Sequence, residues 1–210
     1  MILYHGSDKI IKKPEFGKGS KFNDYGLGFY TTPYFDLAAE WAVPSAESNG
    51  YVNKYNLNID ALTILDMDKE PFEHWISILL KNRGGKFSRL TNDSMQRFIQ
   101  KYPFDISGFD VIKGWRADDS YFQFVRDFCS YGLSLEKLSV AMSLGEFGTQ
   151  YCIISLKAFE NLKFIGPAIE VKASVYNKLR VERDDAARQA YADLPDKRHG
   201  KLIDDIVGRE

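Results

Sequence analysis

Cysteine is scarce in this chain: 210 residues hold two, Cys129 and Cys152. Both lie in apolar stretches that read as a helix and a strand, the setting of buried, reduced thiols. No CxxC spacing and no Cys/His cluster is present, so a structural zinc is not expected. An excess of one charge is missing too. Lys and Arg number 28 against 29 Asp and Glu, for a net charge of −1, so the overall field neither recruits nor repels nucleic acid and only a local basic patch would do so. No apolar stretch approaches the length of a membrane span, and no membrane partner is expected. Met1-Ile2-Leu3-Tyr4-His5 lacks the basic region and long apolar run of a secretory signal. A cytoplasmic location is therefore expected, with delivery by a dedicated secretion system as the alternative. Internal repeats and low-complexity linkers are also absent.

What is present in quantity is aromatic surface. Rings make up 14% of the chain, with 12 Tyr and 15 Phe, so a core or a cleft is rich in them. Apolar residues at 44% and charged residues at 27% are ordinary for a globular protein. The length suits one well-buried domain or a domain with a small appendage.

Along the chain, residues 1–5 read as a short buried strand, and 17–28 as a loop containing Gly17, Gly19, Gly26 and Gly28. Aromatic and β-branched content predicts a strand over 28–32. Asp36 is a candidate cap for a helix carrying Leu37, Ala38, Trp41 and Ala42. Period-two patterning predicts a strand over 51–57, and 62–67 is a second candidate. Helices are predicted over about 71–82, 92–102, 118–131 and 134–143, with a strand at 109–113 among them. A strand is expected over 150–156 and two more around Gly166-Pro167. Strands and helices mix without regular βαβ alternation, which points to an α+β fold of two small antiparallel sheets. The expected organisation is a domain over 1–172 with a helical insertion at about 70–145. A charged, peripheral helix and frayed tail are expected over 173–210.

Three local features carry candidate chemistry: Tyr4-His5-Gly6-Ser7, then Tyr25-Gly26-Leu27-Gly28-Phe29-Tyr30-Thr31-Thr32, then Thr149-Gln150-Tyr151. Each has a plain alternative. A His before Gly is commonly a polar turn residue, a strand Tyr is commonly core, and a Gln before an apolar strand is commonly an edge residue. Gly26-x-Gly28 lacks the third glycine and the βαβ setting of a dinucleotide fingerprint, so a Rossmann reading fails.

Taken in order, the three resemble the motifs of the diphtheria-toxin/PARP-like ADP-ribosyltransferase superfamily. That superfamily carries His-Gly-Ser/Thr, Tyr-Gly-x-Gly-x-Tyr and a late Glu-Tyr. The likeness spans most of residues 1–160 and is similar in detail to a bacterial family within the superfamily. Leu3–Ser7, Gly28–Thr32, Trp41-Ala42, Gly50–Tyr55 and Ala117-Asp118-Asp119 all fit it.

The resemblance implies a split sheet with a central helical insertion, and NAD as substrate. It implies that His5 bonds ribose hydroxyls and that backbone groups of Gly6, beside Ser7, hold the nicotinamide amide. Tyr30 would stack on the nicotinamide ring, between Gly28 and Thr31, with Trp41 as a second platform. Ala38 stands where some members have a hydroxyl. The implied activity is single ADP-ribose transfer to a macromolecular acceptor, or NAD hydrolysis, with no metal. It extends to a toxin role with a small neutralising protein partner. Rival readings are a catalytically inactive NAD or ADP-ribose binding module and a purely structural domain.

Gln150 departs from the superfamily pattern. A carboxylate there would stabilise the positive charge developing on the ribose. Gln keeps the hydrogen bond and loses most of that charge, and Gln150→Glu is expected to hold or raise turnover. Asp118 and Asp119 read either as helix caps or as a cleft-facing acid that orients the acceptor. Glu146 and Glu170 are further sources of acidity without a motif.

Overall fold

A computed structural model describes residues 1–83, 88–117, 119–144 and 148–208. The N-terminal segment Ile2-Leu3-Tyr4-His5-Gly6-Ser7 forms strand β1 (Ile2–Ser7), and the aromatic run beyond the glycine loop forms β2 (Phe29–Thr31). Helix α1 (Phe35–Ala42) follows, then the long strand β3 (Gly50–Leu57) and the short β4 (Ile64–Asp66). After a 3₁₀ turn come α2 (Phe72–Arg83), α3 (Arg89–Lys101), β5 (Val111–Trp115), α4 (Asp119–Cys129) and α5 (Leu135–Met142). The chain finishes with β6 (Thr149–Ile153), α6 (Leu156–Glu160), β7 (Leu162–Phe164), β8 (Ile169–Val171), α7 (Ala173–Ala192) and α8 (Ile203–Val207).

These elements make an α+β fold with two sheets. In the first, β3 is central: β1 pairs with one edge, β7 and β8 with the other, all antiparallel. The second runs β2-β6-β5-β4. It is not wholly antiparallel, as the sequence suggested, because β4 and β5 are parallel. The chain leaves β4 through α2 and α3 before returning as β5, and a parallel pair needs such a long crossover. β5 therefore lies within the stretch read as a helical insertion and contributes a strand to the second sheet.

The two sheets meet where β1 touches β2. Tyr4 and Thr32 exchange backbone hydrogen bonds of 2.7 and 2.9 Å. Two threonine hydroxyls then fasten β2 to β6: Thr31 Oγ1 donates to Tyr151 O and Thr32 Oγ1 to Thr149 O. Small side chains set the spacing on the other side. A Cβ on Gly6 would lie 1.9 Å from the Ala38 carbonyl oxygen, so the close seat of α1 on β1 requires glycine there. The largest buried cluster, around Trp75, Phe98, Phe124 and Phe128, joins the helices to the second sheet.

Three further sequence expectations change. Asp36 does not cap α1: Tyr34 holds the cap position, and Asp36 sits in the first turn, where a carboxylate still favours the helix dipole. The strand expected to reach residue 156 stops at Ile153, because Ser155 Oγ accepts from Ala158 N and starts α6. The C-terminal segment is no frayed tail. Tyr191 stacks on Phe124 at 4.0 Å, Ile203 and Ile206 are buried, and Ser134 Oγ donates to His199 O. Both cysteines are free and buried. Among the described residues, no helix is long and apolar enough to cross a membrane.

Candidate functional site

Beside the seam between the sheets lies a cavity of about 660 Å³, within the range of about 300–1,000 Å³ typical of small-molecule sites. His5 from β1, Gly28 and Tyr30 from the second motif, Trp41 from α1 and Gln150 from β6 all line it. Segments far apart in sequence thus reach one place.

His5 is fixed by its ring. Nδ1 lies 2.7 Å from the Tyr30 carbonyl oxygen, and Phe29 packs against the imidazole at 4.3 Å between centroids. A carbonyl only accepts, so Nδ1 carries the proton and Nε2 is left as an acceptor. Desolvation pushes the His5 pKa below its ordinary value, which keeps the ring neutral near pH 7 despite the opposing pull of the Tyr30 carbonyl.

Tyr30 is anchored at its far end. Its hydroxyl donates to Gly26 O at 2.7 Å and accepts from Tyr25 N at 3.0 Å, closing the glycine loop over the ring's edge. Burial pushes its phenol far above the ordinary range, so it stays a donor. Gly28 is needed for packing as well as access: a Cβ there would sit 2.4 Å from Cys152 Sγ.

Gln150 is almost wholly buried at 3% exposure, and its amide is oriented by two acceptors. Nε2 donates to Asp24 Oδ2 at 2.9 Å and to Trp115 O at 2.8 Å. Both amide hydrogens are therefore used within the protein. Oε1 remains as the acceptor of a side chain that lines the cavity.

Asp24 is the principal residue that the sequence reading missed. Buried at 6% exposure, it also lines the cavity. Oδ1 accepts from Arg83 at 3.0 Å, while Oδ2 accepts from Ala117 N at 2.8 Å as well as from Gln150. Burial pushes the Asp24 carboxyl up, and Arg83, the Ala117 N–H and the Gln150 amide pull against that. Its place immediately before Tyr25-Gly26 was the available signal. This arrangement also alters the expectation for Gln150→Glu. A glutamate in the same rotamer would set an acceptor against Asp24 and the Trp115 carbonyl, so the single substitution brings two carboxylates together.

The wall is strongly basic. Among the described residues, Lys9, Lys13, Lys18, Arg83, Arg116 and Arg180 line it against two acids, Glu15 and Asp24. Glu15 pairs with Lys18 at 2.6 Å and Asp24 with Arg83 at 3.0 Å. The Arg116 guanidinium lies 5.0 Å from the centre of the Trp41 ring. Arg180 comes from α7, positioned by a 3.1 Å bond to Pro44 O, while the neighbouring Arg183 pairs with Glu40. Lys9, Lys13 and Lys18 come from the loops on either side of Pro14, close together in sequence. Arg180 was not legible in the sequence, because nothing local marks a helix so far beyond Trp41 as a wall of the same cavity.

Other candidates fall elsewhere. Thr31 is fully buried and bonded to Tyr151 O. Gly6 faces the α1 backbone, and Ser7 Oγ bonds Asp8 at 3.1 Å; neither Gly6, Ser7 nor Thr31 is among the lining residues. Glu170, on β8, accepts from Asn49 away from the cavity lining. Asp119 opens α4; Asp118 and Glu146 lie outside the described residues.

The geometry defines a two-sheet α+β domain whose seam opens into a basic, aromatic-walled cavity with a buried carboxylate–amide pair. Residues 1–164 match the family described as "Protein of unknown function (DUF3990)", and the chain belongs to that family. No curated protein and no solved structure matches the chain.

Proposed function

We propose that this cavity binds NAD and that the protein breaks the nicotinamide–ribose bond, transferring single ADP-ribose units to a macromolecular acceptor. The observation that carries the reading is convergence. His5, Tyr30 and Gln150, the residues of the three motifs resembling ADP-ribosyltransferases, line one cavity from three separate strands. Within it, neutral His5 offers Nε2 to a ribose hydroxyl, Tyr30 and Trp41 offer aromatic surface, and the excess of cations suits a diphosphate. The split of the strands into two sheets, with His5 on one and Tyr30 and Gln150 on the other, fits the same superfamily.

In the reaction the bond from ribose C1′ to the pyridinium nitrogen breaks. The electron pair goes to nitrogen and nicotinamide leaves neutral. Positive charge remains on the ribose until a nucleophile bonds to C1′ and gives up its proton. With water as nucleophile the result is NAD hydrolysis. The toxin role and a small neutralising partner belong to this proposal through the resemblance alone.

A second reading, an inactive NAD or ADP-ribose binding module, is favoured by the amide at position 150. Incubation with NAD separates the two. Release of nicotinamide, with labelled ADP-ribose appearing on lysate macromolecules, supports transfer; saturable binding without release supports the module. Failure to bind NAD, with no shift in melting temperature, refutes both.

A further inference from the structure

We propose that Asp24 is the carboxylate of this site, acting on the bound ribose through the Gln150 amide. The inference rests on the NAD-cleaving reading above. Gln150 Nε2 donates to Asp24 Oδ2 at 2.9 Å, and Oε1, which accepts from no described residue, belongs to a side chain that lines the cavity. The described partners of the Asp24 carboxylate oxygens, Arg83, Ala117 N and Gln150 Nε2, are all donors, which favours the carboxylate against the upward push of burial. An amide whose N–H donates to it is polarised, so its carbonyl oxygen carries more negative charge. The carboxylate itself stands one amide's width behind that oxygen, in surroundings where water screens poorly.

Arg83 does not cancel this effect. It binds the other oxygen, Oδ1, so the pair is a dipole whose negative end lies against Gln150. Among the described residues, Tyr25, Tyr30 and Cys152 also lie close enough to feel the Asp24 charge. Burial pushes all three up, so they stay neutral. The charge that a glutamate would bring at position 150 is thus supplied by the residue behind it. A glutamate could not replace Gln150 while Asp24 is present, because the two carboxylates would compete for one position. Asp24 is a positioning and polarising residue: it acts through Gln150.

The test is a charge-exchange cycle of four proteins: wild type, Asp24→Asn, Gln150→Glu and the double variant. Each is measured for nicotinamide release at saturating NAD, for NAD affinity, and for thermal melting. Asp24→Asn is expected to lower kcat by about 10- to 100-fold while leaving NAD affinity within about threefold, because the lost charge matters once the ribose is positive. Gln150→Glu alone is expected to lose turnover and stability. In the double variant the amide introduced at position 24 can donate to the carboxylate introduced at position 150, which removes the repulsion between two carboxylates. It also takes the acceptor from Ala117 N and leaves Trp115 O facing an oxygen, so kcat is expected to rise about tenfold or more above Gln150→Glu without returning to wild type.

A purely structural Asp24 would let the double variant regain melting temperature without raising kcat above Gln150→Glu, and that overturns the proposal. Asp24→Asn with wild-type kcat overturns it as well, while leaving the NAD-cleaving reading intact. If Asp24→Asn alone does not fold, the comparison of Gln150→Glu with the double variant decides, since the latter rebuilds the hydrogen bond. Wild type that binds NAD without releasing nicotinamide overturns the relay and leaves the binding module. Wild type that does not bind NAD removes both readings together.

Discussion

Replacing Tyr30 by phenylalanine keeps the ring that faces the cavity and removes the one atom that ties the glycine loop to it. The lost hydroxyl donates to Gly26 O at 2.7 Å and accepts from Tyr25 N at 3.0 Å. Tyr25 is itself 2% exposed, so its N–H has little access to water as a substitute partner. Two hydrogen bonds at about 1 kcal/mol each, with part of the penalty for stranded backbone groups, give roughly 2–3 kcal/mol of lost stability. For a chain of this size each kcal/mol lowers Tm by about 2–4 °C, so a fall of roughly 4–12 °C is expected. Ligand affinity should behave differently. The aromatic face is unchanged, and NAD affinity well below the new Tm should stay within about threefold. Thermal and urea melts of wild type and Tyr30→Phe, with binding measured well below the lower midpoint, separate the two effects. Identical Tm and denaturant midpoints would refute the reasoning, because they would mean that the hydroxyl holds nothing that water cannot hold as well.

Arg180→Ala is expected to weaken NAD binding about tenfold through loss of one charge-assisted phosphate contact, and to leave nicotinamide riboside, which has no phosphate, unaffected. Equal losses for both ligands, read by calorimetry, would take Arg180 off the diphosphate. His5 gives a pH signature. Its folded-state pKa is lowered below 6.5, so above that value both states are neutral and it contributes no pH dependence. As pH falls below 6.5 the unfolded chain takes up the proton first, and stability declines until the folded-state value is reached. Tm followed from about pH 8 to about pH 5 should therefore fall more steeply for wild type than for His5→Gln; parallel curves would show that His5 is not desolvated.

Much of the fold was legible because its signals are local. Period-two patterning over 51–57 marks β3, and Ser134 caps α5 by accepting from Lys137 N as its position suggests. His5, Tyr30 and Gln150 were legible as candidates because each sits in a motif. The parallel β4–β5 pair was not, since strand direction is decided by where α2 and α3 return the chain, not by the residues of either strand. Asp24 and Arg180 were hidden for a related reason. A carboxylate beside a glycine loop and an arginine on a charged helix look like solvated residues until the fold buries one against Gln150 and leans the other over the cavity. Thr31 misled in the opposite way: it stands beside Tyr30 in sequence, but strand alternation turns it to the opposite face.

The cavity draws on chain that the family match does not include. The match ends at residue 164, yet α7 supplies Arg180 and clasps α1 through Arg183 to Glu40 and Asn177 to Val43 O. Under the proposed function these two parts have different tasks: the seam holds His5, Tyr30 and Gln150, which would act on the ligand, and α7 adds a cation that would meet its charge. On that reading, exchanging α7 for a helix with a different face is expected to retune which ligand charge is favoured while His5, Tyr30 and Gln150 stay untouched.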